Sequence, residues 1–286
     1  MNTVNKYLSL IKFSHTVFAL PFAIIGFCLA IYSGQAQFSW EKLVLVLGCM
    51  VFARSAAMAF NRYIDRKFDA KNPRTAIREI PAGQISANAA LLFVIISAAA
   101  FVFCSYLINS LCFYLSPVAL FVVLGYSYTK RFTPLCHLIL GLGLSLAPIG
   151  AYLALTAHFD ILPLLFSVIV FFWVSGFDII FALQDEEFDK GEGLRSIPVL
   201  MGKAKALRLS EFLHFVAAAI VVTAYIYGNF SWLYILGAII FIGLLVYQHL
   251  IVKPNDLSRV NLAFGTSNGI ASVLFSVFVC LDIFIL

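Results

Sequence analysis

Apolar runs of about twenty residues recur along almost the whole chain, and this narrows its fold more than any other feature. A stretch of that length spans the hydrocarbon of a bilayer as a helix, and inside a bilayer only helices or a closed barrel satisfy every backbone N–H and C=O. The runs are continuous rather than alternating, so they read as helices. Residues are 62% hydrophobic and only 12% charged, about half the charged share of a soluble domain. The runs lie near 16–33, 43–62, 87–107, 110–128, 136–155, 162–183, 206–227, 231–251 and 262–285. The expected fold is an all-α polytopic membrane protein of about nine transmembrane helices in one domain over residues 1–286.

The connections alternate in charge. Lys6 and Lys12 precede the first run; Arg66, Lys67, Lys71, Arg74 and Arg78 follow the second; Lys130 and Arg131 follow the fourth. Lys190, Arg195, Lys203 and Lys205 follow the sixth, Lys253 and Arg259 the eighth, and Lys42 is the exception on the other side. This is the positive-inside pattern, which accounts for the net charge of +5 without nucleic acid. It predicts a multi-pass protein of the cytoplasmic (inner) membrane with its N-terminus inside and its C-terminus outside. The six cysteines are scattered through apolar runs without metal-ligand spacing and read as packing residues. The first run, beginning near Val17, lacks a cleavage site and reads as a span, not a signal peptide.

Two long inward connections suggest a cap over a central cavity open to the cytoplasmic side. Each follows a helix that ends in carboxylates. Asn61, Asp65 and Asp69 are four residues apart, so they share one helix face at roughly 6 Å per step. Arg54 lies seven residues earlier on the same face, and Asp178, Asp185 and Asp189 repeat the seven-and-four spacing on the sixth run. The echo hints at four-helix units, roughly 16–128 and 136–251, with an extra ninth helix.

An ionisable group within a span costs several kcal/mol and normally faces a cavity or a partner. Arg54 and Asp178 as a simple interhelical tie would explain two of these residues, not seven repeating one spacing. Oxygen ligands at a cavity mouth suit Mg²⁺, which readily shares phosphate oxygens with a substrate. Arg66, Lys67, Arg74, Arg78, Lys130, Arg131 and Lys190 supply counter-charge for a diphosphate. A cation-coupled transporter is the alternative of another class, but its charges are expected near the midplane.

The stretch NRYIDRKFDAKNPRTAIREIPAG from Asn61 resembles the NDxxDxxxD signature, with trailing RTxxRxxPxG, of the UbiA superfamily of intramembrane prenyltransferases. Asp185-Glu-Glu-Phe-Asp189 resembles the second DxxxD motif of that family, and Tyr126-Ser-Tyr-Thr-Lys130-Arg131 its YxxxKR element. Phe13-Ser-His15-Thr-Val-Phe-Ala-Leu-Pro21 is similar to its N-terminal segment. There are two departures. Arg62 stands where the pattern has Asp, and Glu79 follows Arg78 where many members have Pro. The variant is similar to the 4-hydroxybenzoate polyprenyltransferase branch, part of which is thought to use a naphthoate.

The resemblance implies Mg²⁺-dependent transfer of a polyprenyl group from its diphosphate to a ring carbon of an aromatic hydroxy acid, in ubiquinone or menaquinone biosynthesis. A haem or 1,4-dihydroxy-2-naphthoate prenyltransferase is the alternative within the family. It implies metal binding by Asn61, Asp65, Asp69, Asp185 and Asp189, and diphosphate binding by Arg66, Arg74, Arg78, Lys130 and Lys190. Asp178 and Arg131 orient the acceptor in this reading, with Arg54, Tyr126 and His15 as weaker candidates. His137, His158, His214 and His249 share no spacing and read as interfacial. Gly141, Gly143, Pro148 and Gly150 read as packing or kink residues of the fifth run.

Overall fold

The structure, a computed structural model, describes residues 3–12 and 18–285. Its named elements are α1 (Thr3–Leu10), α2 (Leu20–Tyr32), α3 (Trp40–Lys71), α4 (Ala87–Ile108), α5 (Ser110–Thr129) and α6 (Cys136–Thr156). They continue with α7 (Ile161–Ala182), α8 (Glu186–Gly191), α9 (Ile197–Tyr227), α10 (Trp232–Ile251) and α11 (Asn268–Ile285). The described residues form no strand, as expected for continuous apolar runs. Among the described residues eight helices are long and apolar enough to cross a membrane. The expected first span differs, because α2 is a 13-residue helix, shorter than the roughly 17 residues a span needs.

Each long helix packs on its neighbour in sequence, with the short α8 leaving α7 to pack on α9; α11 returns to α2, which lies against α6. Close approaches set these contacts. A Cβ on Gly26 of α2 would collide with the Pro148 carbonyl of α6, and one on Gly176 of α7 with the His214 ring of α9. Large apolar side chains on the outer faces, including Leu92, Phe103, Phe121, Phe215 and Ile239, are exposed as lipid-facing surface.

The helix carrying the first acidic stripe outruns its apolar run. α3 has 32 residues, about 48 Å at 1.5 Å per residue, more than the hydrocarbon of about 30 Å. Ser39 caps its start by accepting from the Lys42 N–H at 3.3 Å. Its end is set by Asn72, extended at ψ 118° because Pro73 follows. Asn109 joins three elements: its Oδ1 accepts from the Cys112 N–H at 2.8 Å to cap α5, and its amide donates to the Leu153 and Ala154 carbonyls of α6.

The interior is aromatic, built on Phe22, Phe166, Trp173, Tyr234, Phe241 and Phe275. Several of its polar groups pair with one another. Trp173 Nε1 donates to Asn268 Oδ1 at 2.7 Å, and Gln248 Nε2 donates to the same oxygen at 2.9 Å. Asn268 Nδ2 reaches the Ala263 and Phe264 carbonyls, which the wide π turn Leu262–Ser267 withdraws from α-helical pairing. An apolar cavity of about 530 Å³ lies among α3, α4, α5 and α6, with Arg54 and Tyr126 in its lining.

Candidate functional site

The site forms where α3 overshoots its apolar run. Asp65 is almost wholly buried. Lys130 Nζ lies 3.3 Å from its Oδ2, and Arg131 Nη2 donates to its Oδ1 at 3.1 Å. Asn61 Nδ2 donates to the same carboxylate at 3.3 Å, as the four-residue spacing requires. Arg131 Nη2 also reaches the Ile64 carbonyl, and its guanidinium lies over Phe68 and Tyr128. One turn on, Arg78 Nη1 donates to Asp69 Oδ1 at 2.7 Å, leaving buried Oδ2 without a partner.

The second motif meets the first through the loop after α3. Arg74 Nε donates to Asp185 Oδ1 at 3.1 Å and its Nη2 to Oδ2, a bidentate pair. Asn72 Nδ2 donates to Asp185 Oδ1 at 3.2 Å while its Oδ1 accepts from the Arg74 N–H at 3.0 Å, shaping the turn. Asp189 is buried, with Lys130 and Asp185 as charged neighbours. The Arg195 N–H donates to the Lys130 carbonyl at 2.6 Å, tying the segment after α8 to the end of α5.

The structure therefore brings Asn61, Asp65, Asp69, Asp185 and Asp189 together with Arg74, Arg78, Lys130 and Arg131. Among the described residues no three His, Cys, Asp or Glu side chains stand close enough to hold a metal ion as they are. The carboxylates Asp65, Asp69 and Asp185 each carry a basic side chain instead. Two expected diphosphate residues stay apart: Arg66 donates to the Tyr63 carbonyl at 2.6 Å and lies over the Tyr63 ring, and Lys190 is exposed at the end of α8. His15 lies outside the described residues.

Nearer the cavity, Arg54 is in the lining with its Nε unpartnered. Among the described residues no ion pair joins it to Asp178, so the simple interhelical tie is not formed. Arg54, Asp65 and Asp178 are the charged neighbours of Tyr126. Asp178 is instead 2.7 Å from His137 Nδ1. This corrects the reading of the histidines as interfacial: His137 and His214 are buried, and His214 Nδ1 lies 2.8 Å from His249 Nε2. Their rings fit inside because Gly141 and Gly176 let the helices around α7 approach closely. His158 is exposed on the α6–α7 connection.

Some site residues escaped the sequence reading. Asn72 has no role in the motif spacing, although its place before Pro73 and Arg74 marks a shaped turn. Arg62 was noted only as a missing carboxylate. It is 4% exposed with Nε and Nη1 unpartnered, and Asp69, Glu79 and Arg78 are its charged neighbours. The other departure, Glu79, is also buried and accepts from Ser9 of α1.

The family model described as UbiA prenyltransferase family matches residues 19–276. A 4-hydroxybenzoate octaprenyltransferase of Aliivibrio fischeri (strain MJ11) is 30% identical over 240 residues, 82% of each chain. The enzyme of the same name from Francisella tularensis subsp. mediasiatica is 29% identical over 234 residues, 82% of this chain and 81% of its own. The apo structure of a UbiA homologue from Aeropyrum pernix K1 superposes with a TM-score of 0.81 at 28% identity, covering 95% of this chain and 97% of the other. A UbiA homologue from Archaeoglobus fulgidus bound to DMAPP and Mg²⁺ has the same fold, with a TM-score of 0.76 at 22% identity over 98% and 100%.

Proposed function

Because the chain belongs to the UbiA prenyltransferase family, we propose that it transfers a polyprenyl group from polyprenyl diphosphate to a ring carbon of an aromatic hydroxy acid. The acceptor is of the 4-hydroxybenzoate type or a naphthoate, and the product serves ubiquinone or menaquinone biosynthesis. Family membership sets the transporter alternative aside. One observation carries this reading: carboxylates of two motifs about 120 residues apart in the chain meet through guanidinium and ammonium groups beside an apolar cavity. Acids alone suit a cation and bases alone an anion; interleaved, they suit a metal diphosphate.

Asn61, Asp65, Asp69, Asp185 and Asp189 offer only oxygen donors, as Mg²⁺ prefers, and the unpartnered Asp69 Oδ2 fits a cation ligand. When bound there, Mg²⁺ would supply charge neutralisation for the leaving diphosphate. Arg74, Arg78 and Lys130 exchange their carboxylate partners for phosphate oxygens. The cavity takes the isoprenoid and keeps water from the reacting carbon. Heterolysis of the carbon–oxygen bond leaves its electron pair on the diphosphate, and aromatic side chains such as Tyr126 stabilise the allylic cation. The acceptor ring carbon forms the new bond, and the ring proton leaves to restore aromaticity. Asp178 accepts a hydrogen bond from the acceptor hydroxyl. Arg131 pairs with the acceptor carboxylate, and Arg54, with its unpartnered Nε in the cavity, is a second guanidinium for it.

In this reading residues 1–286 form one transmembrane domain of the inner membrane, with the N-terminus and the site on the cytoplasmic side. The asymmetry of Lys and Arg supports that orientation. The test incubates purified protein in lipid with Mg²⁺, a polyprenyl diphosphate and, side by side, 4-hydroxybenzoate and dihydroxynaphthoates, following product by mass. Prenylated product that disappears with EDTA and in Asp65→Ala or Asp185→Ala supports the reading. Binding of the diphosphate without product from any acceptor removes the acceptor assignment; no binding at all removes the two-motif site.

A further inference from the structure

Buried His137 and half-buried Asp178 form a pair that contacts none of the phosphate-binding bases, although His137 is a charged neighbour of Asp189. His137 is the second residue of α6, is 3% exposed, and sets Nδ1 2.7 Å from Asp178 Oδ2 on α7. On the other side of the ring the Ile197 N–H, at the first position of α9, points at Nε2 from 3.4 Å. That N–H is one of the donors a helix start leaves without an intrahelical partner. A nitrogen that receives a donor is the unprotonated one, so the ring proton sits on Nδ1 and is donated to Asp178. One carboxylate oxygen is thereby held, while the side chain keeps about a fifth of its surface open.

Helix packing makes the pair. Gly141, one turn after His137, meets Ser175 and the Phe171 carbonyl of α7 so closely that a Cβ there would collide. Ser175 is three residues before Asp178, so the tight crossing brings the next turn of each helix into hydrogen-bond range. Tyr126 of α5 has Asp178 and Arg54 among its charged neighbours. Asp178 therefore lies near the polar end of the cavity, which Arg54 and Tyr126 line.

We infer that His137 is a positioning residue: by donating from Nδ1 to Asp178 Oδ2 it fixes the rotamer of Asp178, whose other oxygen receives the acceptor hydroxyl. The inference deepens the proposed function and rests on it. Pinning Nε2 to the start of α9 also ties this carboxylate to the segment that carries Asp185 and Asp189.

Two variants and two readouts test it. His137→Phe keeps a ring and removes the donor; His137→Asn returns an amide N–H near the place of Nδ1. With the diphosphate saturating, His137→Phe is expected to lower kcat/KM for the aromatic acceptor about ten- to a hundredfold. The KM for the diphosphate stays within about twofold, and His137→Asn recovers most of the loss. Equal losses in both variants, or a loss shared by the diphosphate KM, overturn positioning in favour of packing. Independently of turnover, NMR of isotopically labelled imidazole nitrogens in lipid is expected to report a proton on Nδ1, altered in Asp178→Asn. An Nε2–H tautomer overturns the inference. Wild-type protein that prenylates no aromatic acceptor refutes the proposed function and the inference together, whereas active wild type matched by His137→Phe refutes the inference alone.

Discussion

Gly141→Ala tests the packing that builds the acceptor side of the site. The added Cβ would sit 2.6 Å from the Phe171 carbonyl oxygen, and ordinary Cβ contacts begin near 3.4 Å. Ser175 Oγ can rotate away, but Phe171 O is backbone, so relief requires α6 and α7 to separate by about 0.8 Å. Overpacking of this kind costs about 1–3 kcal/mol. The same separation stretches the His137–Asp178 contact from 2.7 Å to about 3.5 Å, outside hydrogen-bond range. Gly150→Ala on the same helix is the control, because its Cβ meets nothing within 4 Å and alanine is the better helix former. The assay pairs thermal unfolding in detergent with kcat/KM for the aromatic acceptor. Gly141→Ala is expected to melt lower and to lose about tenfold or more in acceptor kcat/KM, while Gly150→Ala, whose methyl faces the cavity, is the control for melting alone and does not melt lower. If Gly141→Ala melts and turns over like the parent, α6 and α7 are not held at this crossing and the reasoning fails.

Three further outcomes follow from the same geometry. Asp65→Asn removes a buried charge that holds Lys130 and Arg131; because both bases are about a third exposed and can turn to water, stability should fall by about 1–3 kcal/mol, and product formation should fall about a hundredfold or more. Comparing melting with turnover separates the two effects. Arg74→Lys keeps a charge but loses the bidentate grip on Asp185, so the diphosphate should bind more weakly, as read by titration. Trp173→Phe leaves Asn268 without its indole donor; unfolding should register a loss of about 1–2 kcal/mol, with the diphosphate KM unchanged.

What could be read in the sequence was local. The stripe of Asn61, Asp65 and Asp69 follows from helical periodicity, and the structure keeps it on one face of α3. The end of that helix was less legible. Apolarity stops near residue 62, yet α3 continues to Lys71, because a helix needs paired backbone groups and a stop signal, not lipid. The same reasoning moves the start of α9 back to Ile197, with a break at Gly202, whose φ of 76° suits glycine. Long-range partners left no trace in spacing. Arg74 and Asp185 are 111 residues apart, and His137 and Asp178 are 41 apart. His137 stood beside a basic loop and read as interfacial; only the approach permitted by Gly141 carries it inside.

The pairing of acids with bases also explains how so many charges can share one site. Asp65, Asp69, Asp185 and Asp189 are balanced in number by Lys130, Arg131, Arg78 and Arg74, and all four carboxylates are buried or half-buried. Burying such groups unpaired costs several kcal/mol each, and the resting arrangement offsets most of this by setting acids beside bases, with Asp69 Oδ2 left over. A divalent cation entering alone would meet carboxylates already neutralised, and a diphosphate alone would meet bases already engaged. Under the proposed function, the two entering together would bring nearly compensating charge: the bases would turn to phosphate and the acids could hold the metal, so that neither set is stranded. On that reading the preference for the metal diphosphate over either part would come from the interleaving of the two motifs, not from any single residue in them.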